Sequence, residues 1–483
     1  MESFGKRKIF SNMLWRFAER IGAQLVQFVV SIILARILAP EDYGTVALIT
    51  VFITILQVFV DSGLGTALIQ KKSADKIDFS TVFYTNVSFC VVLYLILFFT
   101  APLIAGFYNN SSLVPLIRVL GITLIVSGLK SIQQAYVAKN MIFKKFFFST
   151  LAGTIGAAAI GIYLALNGFG VWALVVQQVF NVTLDTVVLW MTVKWRPTMA
   201  FSLTRLKGLF SYGWKLLVST LIDTVFNNAR QLIIGKFYSG EDLAFYNRGK
   251  LFPNLIVANI NTSMESVLLP SMSNAQDKRE QVKKMTKQSI KVSVFVLAPL
   301  MVGMACISNN LVNFLLTDKW MPAVPYIWIF SVWFLLWPIH TVNLNAIKAM
   351  GRSDIFLKQE IFKKIAGAAI MVVTVWFGPL AMALGMLVEG IISQIINTWP
   401  NKKLLGYGYL EQIKDILPYI GLSVIMGGAV LVCNLFNLPV AVVLLIQVFI
   451  GAGIYLILAR MFKLEALEYS LDLIKSMISK KRS

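Results

Sequence analysis

Charged residues are scarce in this sequence: they make up 14% of its 483 residues, against roughly 25% in an average soluble domain. So few cannot cover the surface of a water-soluble fold of this length. Histidine is scarcer still, with His340 alone, which excludes a histidine cluster around a metal. The three cysteines, Cys90, Cys306 and Cys433, lie inside or at the edge of apolar segments and read as small buried hydrophobes instead of a disulfide or metal set. Also missing are a P-loop, an HExxH pair and a nucleophile elbow. These absences argue against ATP hydrolysis and enzyme chemistry, and no cofactor is called for. The first apolar segment reads as a retained helix, since no cleavable signal peptide is apparent before Pro40.

What the sequence has is apolar length. Hydrophobic residues reach 57% and mean hydropathy is +0.74. Stretches of about 20 apolar residues recur, the length that crosses roughly 30 Å of hydrocarbon. The expected fold class is an all-α polytopic membrane protein. We place fourteen spans at 11–37, 43–69, 79–106, 113–138, 147–167, 171–193, 209–237, 243–269, 289–316, 322–348, 359–377, 380–398, 413–433 and 439–459. The net charge of +21 would suggest nucleic acid in a soluble chain. Here the basic residues sit mostly between apolar segments, so no nucleic-acid partner is expected.

With the N-terminus inside, 31 lysines and arginines fall in the internal segments and one, Lys319, in the external loops. That asymmetry is the positive-inside bias, and it predicts an even number of spans with both termini cytoplasmic. A repeat runs through the same layout. ILARILAPEDYG returns two hundred residues later as IIGKFYSGEDLA, with Glu241 and Asp242 at the places of Glu41 and Asp42, Lys236 at that of Arg36, and Phe210-Ser211 at that of Phe10-Ser11. Six spans separate the copies, so both run the same way, a parallel repeat about an axis along the membrane normal. The expected organisation is an N-terminal lobe at 1–193, a basic linker at 194–208, a C-terminal lobe at 209–398, spans thirteen and fourteen within 399–459, and a basic amphipathic tail at 460–483.

Local chemistry fits the turns. Ser239-Gly240-Glu241-Asp242 resembles a capped helix start, with acids facing orphan N–H groups, and Pro40 suits a first helical position. Glu41, Asp42, Glu241 and Asp242 read first as helix caps at the outer surface. The segment 271–288 reads as a short cytoplasmic amphipathic helix. In the tail, Leu464, Leu467, Leu471, Ile474 and Ile478 at helical spacing, followed by Lys480, Lys481 and Arg482, predict an interfacial helix on anionic lipid.

Polar residues inside spans are expensive and mark cavities or partners. Span one carries Arg16, Glu19, Arg20, Gln24 and Gln27; span seven carries Lys215, Asp223, Asn227 and Arg230. Each set falls on one helical face, and two such faces most simply border a hydrated cavity. Lys130, with Gln133 and Gln134, Asp61, Asp185 and Glu265 are further candidates for its wall. Arg16, Arg20, Gln24, Lys130, Lys215, Asn227 and Arg230 are the expected contacts for an anionic head group, because guanidinium groups match phosphate oxygens. Arg36, Lys236 and Arg248 are the basic candidates at the outer mouth. A coupling ion, H⁺ or Na⁺, would exchange at Glu19, Asp61, Asp185, Asp223 or Glu265. For each acid the competing reading is an intramembrane ion pair.

The run ILARILAPEDYG, with DSGLG and ALIQ, resembles the polysaccharide-transporter branch of the MOP flippase superfamily, whose members export colanic acid, teichuronic acid and O-antigen units. Arg36, Pro40, Glu41, Asp42, Tyr43, Gly44, Asp61, Gly63 and Gly65 occupy the motif positions. The resemblance implies a MATE-like V-shaped transporter of two six-helix lobes in the bacterial cytoplasmic (inner) membrane. It would flip undecaprenyl-pyrophosphate-linked oligosaccharides outward by alternating access, for capsule, exopolysaccharide or lipopolysaccharide O-antigen synthesis. It also implies a polyprenyl-pyrophosphate-linked glycan as partner, with a polymerase and glycosyltransferases nearby. The extra C-terminal pair resembles the helices that border a lipid-tail groove in lipid II flippases. A lipid II flippase, a drug or cation antiporter of the same fold, and a non-transporting scaffold are the alternatives.

Overall fold

The computed structural model describes residues 2–61, 64–71, 73–436, 438–469 and 471–472. Every regular element among them is helical: α1 (Glu2–Ile37), α2 (Pro40–Asp61), α3 (Leu64–Gln70), α4 (Lys76–Phe107), α5 (Leu113–Lys139), α6 (Lys144–Leu166), α7 (Val171–Thr192), α8 (Leu203–Phe237), α9 (Gly240–Ser273), α10 (Arg279–Leu316), α11 (Val324–Ala349), α12 (Ser353–Thr374), α13 (Pro379–Leu405), α14 (Tyr409–Val432) and α15 (Val440–Met461). Each predicted span corresponds to one of these, the second being divided between α2 and α3. Eleven helical stretches among the described residues are long and apolar enough to cross a membrane. The helices at predicted spans seven, eight and eleven, α8, α9 and α12, are not among them. Their sequences explain why: α8 carries Lys215, Asp223, Asn227 and Arg230, α9 a polar run from Asn259 to Ser266, and α12 Lys358, Lys363 and Lys364.

The chain forms two compact units, 1–244 and 245–483. In the first, α4 packs on α5, α6 on α7, α1 on α6, and α8 on α2. The α6–α7 contact depends on small residues, as membrane helices without a hydrophobic drive between them require. A Cβ at Gly153 would come within 2.9 Å of the Asn181 carbonyl and of Asp185 Cβ, so this glycine sets how closely α7 lies. Phe79, Phe83 and Trp195 form the aromatic core where α4, α5 and α7 meet. The predicted linker is stitched to this core: Thr198 N–H donates to Ser80 Oγ (2.9 Å), Ser202 N–H to Thr81 Oγ1 (3.1 Å) and Gln133 Nε2 to the Trp195 carbonyl (3.2 Å).

In the second unit α10 packs against α11, α14 and α15, and α13 against α11 and α12. A buried amide network ties three helices: Asn343 and Gln412 exchange hydrogen bonds at 2.9 Å, and Asn401 Nδ2 donates to Asn343 Oδ1 at 2.7 Å. Within it both amide atoms of Asn343 and of Gln412 are hydrogen-bonded, while Asn401 Oδ1 is left without a hydrogen-bond partner among the described residues. The segment 271–288 differs from its expectation. It holds the end of α9, a turn, and the first turns of α10, which continues unbroken into the apolar part. No glycine or proline lies between Lys278 and Pro299, so nothing stops the helix where the polarity changes. In the tail, Leu464 is buried and Glu465 pairs with Lys291 of α10 at 2.7 Å, which anchors the start of the tail to the protein. Ile474, Ile478, Lys480, Lys481 and Arg482, and Gly63 of the motif, lie outside the described residues.

Candidate functional site: polar faces, an internal ion pair and an apolar groove

The repeated motif builds the same turn twice. α1 ends at Ile37 and α2 begins at Pro40, while α8 ends at Phe237 and α9 begins at Gly240. Asp42 Oδ2 accepts the Ala39 N–H at 3.2 Å, and Asp242 Oδ2 accepts the Ser239 N–H at 3.2 Å. Ser239 Oγ accepts the Asp242 N–H in return at 3.0 Å, the reciprocal cap that the spacing predicts. The two turns also touch. A Cβ on Gly44 would lie 1.7 Å from the Gly240 carbonyl oxygen, so the starts of α2 and α9 meet backbone to backbone.

On α1, Arg16 Nη1 pairs with Glu19 Oε2 at 3.0 Å, and its guanidinium lies 4.6 Å from the Phe146 ring centroid. Glu19 Oε1 accepts from Thr150 of α6 at 3.2 Å. Both side chains are therefore engaged toward α6. Gln24 is half-buried, while Arg20 and Gln27 are exposed. On α8, Lys215, Asp223 and Asn227 are exposed, whereas Arg230 is buried. The predicted face of α8 is thus divided between solvent-accessible groups and one interior cation.

Deeper in the first unit, Lys130 Nζ of α5 binds Asp185 Oδ2 of α7 at 3.0 Å, with 17% and 11% of the two side chains exposed. Both carboxylate oxygens of Asp61 accept from Gln57 Nε2, one turn earlier, at 3.2 Å. Asn86 of α4 bridges the Val60 carbonyl (3.3 Å) and Ser131 Oγ (2.6 Å). The polar cluster therefore joins α2, α4, α5 and α7. Sequence reasoning named Lys130, Asp61 and Asp185 separately and missed Gln57, Asn86 and Thr150. Only Gln57 carried a local signal, its i,i+4 spacing from Asp61.

At the motif end of the first unit, Lys236 Nζ donates to the Phe107 carbonyl and lies 4.4 Å from the Phe107 ring centroid, while Arg36 is exposed. In the second unit, Arg248 is buried with its guanidinium 4.8 Å from the Trp320 ring centroid, a cation–π contact. Glu265 is exposed on α9. No group of three or more metal-ligating side chains occurs among the described residues. The second unit also contains an apolar groove of about 480 Å³ between α10, α14 and α15. Phe295, Pro299, Met304, Met426, Gly451 and Tyr455 line it, with Gln447 as a polar exception.

A family model described as polysaccharide biosynthesis protein matches residues 33–325. The teichuronic acid biosynthesis protein TuaB of Bacillus subtilis (strain 168) is 26% identical over 469 residues, covering 94% of this chain and 95% of that protein. The succinoglycan biosynthesis transport protein ExoT of Rhizobium meliloti (strain 1021) is 23% identical over 417 residues, 86% of this chain and 82% of that protein. Among solved structures, the lipid II flippase MurJ in an inward closed conformation is similar with a TM-score of 0.74 at 17% identity, over 93% of this chain and 98% of that one. An inward-facing multidrug resistance MATE family transporter of the MOP superfamily gives a TM-score of 0.59 at 15% identity, over 80% and 94%. At such identities the likeness is one of fold: all-α, multi-spanning, with the MATE and MurJ architecture.

Proposed function

The chain belongs to the polysaccharide biosynthesis protein family of the MOP superfamily, and from that premise we propose that it is a flippase for polyprenyl-pyrophosphate-linked oligosaccharides. It is a membrane transporter and not an enzyme, in keeping with relatives named for polysaccharide biosynthesis and transport. In this reading it carries undecaprenyl-linked repeat units from the inner to the outer leaflet of the bacterial cytoplasmic membrane, for capsule, exopolysaccharide or O-antigen synthesis. Fourteen spans, two six-helix lobes with the linker at 194–208, and cytoplasmic termini complete the proposed topology.

One observation carries the reading: membrane-length helices α1 and α8 leave Arg20, Gln27, Lys215, Asp223 and Asn227 exposed. Such groups are unstable against hydrocarbon and are at home beside water and an anionic glycan head group. The apolar groove between α10, α14 and α15 suits the polyprenyl tail, which finds there a lining as apolar as the lipid around it. Coupling belongs to the internal cluster. A proton or Na⁺ reaching Asp185 competes with Lys130 for the carboxylate, and the membrane potential supplies about 2.3 kcal/mol per charge per 100 mV. Alternating access then moves the head group while the tail remains in lipid.

The test is export in cells that depend on this chain. Replacing Arg20 and Lys215 together by glutamine lowers delivery of lipid-linked glycan to the outer leaflet at least about tenfold, since two charge-assisted contacts to phosphate are lost, with protein level unchanged. Undiminished export at normal protein level sinks the proposed path. Support of growth without the cell's own lipid II flippase, with no glycan export, would assign the chain to lipid II.

A further inference from the structure

At the junction of α13 and α14 the second unit has a cavity of about 790 Å³, walled by Trp399, Lys402 and Lys403 on one side and Tyr409, Leu410 and Glu411 on the other. The reversal between the helices turns on Gly406, at φ +65°, a left-handed conformation that glycine adopts without strain. A Cβ there would lie 3.6 Å from Lys283 Nζ and 3.7 Å from Arg279 Nη2. Two cations from the start of α10 thus stand beside the cavity wall, at ordinary van der Waals distance from that position. Arg279 Nη2 is fixed by the Lys403 carbonyl at 3.0 Å.

The charge at this place is one-sided. Lys402 and Lys403 are exposed and Lys283 is half-buried, and none of the three is ion-paired among the described residues. Glu411 is the one carboxylate in the wall, and it accepts the Gly408 N–H at 3.3 Å. The rim is apolar and open: Trp399 is 71% and Leu410 75% exposed, and Ile395, one turn earlier on α13, continues the apolar surface along the helix. A cationic hollow beside exposed tryptophan and leucine fits a ligand with an anionic head and an apolar body, because tryptophan settles at head-group depth.

We propose that this cavity binds the phosphate of an anionic phospholipid, with an acyl chain against Trp399, Leu410 and Ile395. The inner leaflet as the lipid's source rests on the topology proposed above; the binding does not. A soluble nucleotide would leave Trp399 and Leu410 unused, and a zwitterionic lipid would leave the lysine charges uncompensated.

Native mass spectrometry of the full-length protein in detergent, titrated with phosphatidylglycerol and phosphatidylcholine, tests the site without any transport substrate. It therefore separates this site's failure from failure of the flippase reading. The wild type retains phosphatidylglycerol over phosphatidylcholine. Lys283→Gln, Lys402→Gln and Lys403→Gln together weaken that retention on the order of tenfold or more, given the contribution of each lysine near anionic lipid. A control with the same charge removed at Lys145, Lys194 and Lys207 retains the lipid. The single variant Lys402→Gln gives a smaller loss, and unchanged melting of each variant shows that the fold is kept. Equal retention by the triple variant and the wild type overturns the proposal. So do equal binding of phosphatidylcholine, displacement by inorganic phosphate alone, and binding of undecaprenyl phosphate in place of phosphatidylglycerol.

Discussion

Single residues decide how closely the repeated turns can meet. Gly44→Ala would place a methyl group against the backbone of Gly240, at 1.7 Å from its carbonyl oxygen, where no side chain can rotate away. Overpacking of this kind costs typically about 1–3 kcal/mol, and a backbone neighbour puts it at the upper end. Gly65→Ala, with nothing within 4 Å of the new Cβ, is neutral or gains up to about 1 kcal/mol from helix propensity. Thermal melting in detergent distinguishes the two: Gly44→Ala melts below the wild type, and Gly65→Ala does not. Both glycines stand in the motif, and the sequence alone treats them alike. The capping role of Asp42 and Asp242 was legible because a cap is a local hydrogen bond at fixed spacing. The partner of Gly44 lies in the other copy of the motif, and the partner of Lys130 lies 55 residues away. Contacts of that kind are fixed by packing, which no local spacing encodes.

Among the elements, the junction between α4 and α8 is held by charge. Asp75 caps α4 in a reciprocal capping box with Asp78, and Arg205, from the first turn of α8, reaches Asp75 at 2.5 Å and the buried Asp78 at 3.3 Å. The Arg205 hydrogen bond, with the Asp78 backbone N–H adding to it, lowers the Asp75 carboxyl from its usual 3.8 to about 2. A lowered folded-state value means that the stabilisation is present above the unfolded value and disappears as pH falls through the folded one. The contact therefore holds above about pH 4 and loosens between about pH 4 and 2. Hydrogen-exchange protection at residues 203–208, corrected for the intrinsic pH dependence of amide exchange, falls on acidification across that window, and Asp75→Asn removes most of that pH dependence. The Asp75 cap of α4 was not singled out in the sequence, whereas the helix starts at Pro40 and Ser239 were legible from their cap residues. The end of an amphipathic stretch was less so: the polar start of α10 continues into its apolar part because helix periodicity does not change where polarity does. The polar residues of α8 and α9 marked functional helices in the sequence, and they also keep those helices out of the set apolar enough to cross a membrane.

For the whole molecule, composition fixes the membrane class, the repeat accounts for the two equivalent turns, and the family match covers residues 33–325. Glycan identity has no comparable signature, because sugar recognition rests on cavity shape and dispersed polar groups, and no short motif holds it. The central claim is movement of a lipid-linked oligosaccharide between leaflets, and its most direct measurement is a leaflet-resolved assay with the purified chain. Proteoliposomes carrying an undecaprenyl-pyrophosphate-linked repeat unit are treated with a membrane-impermeant glycan oxidant. The account predicts that the protein makes the inner-leaflet pool accessible, while a control with lipid II in its place shows no comparable gain. Protection of that pool at the level of protein-free vesicles would contradict it.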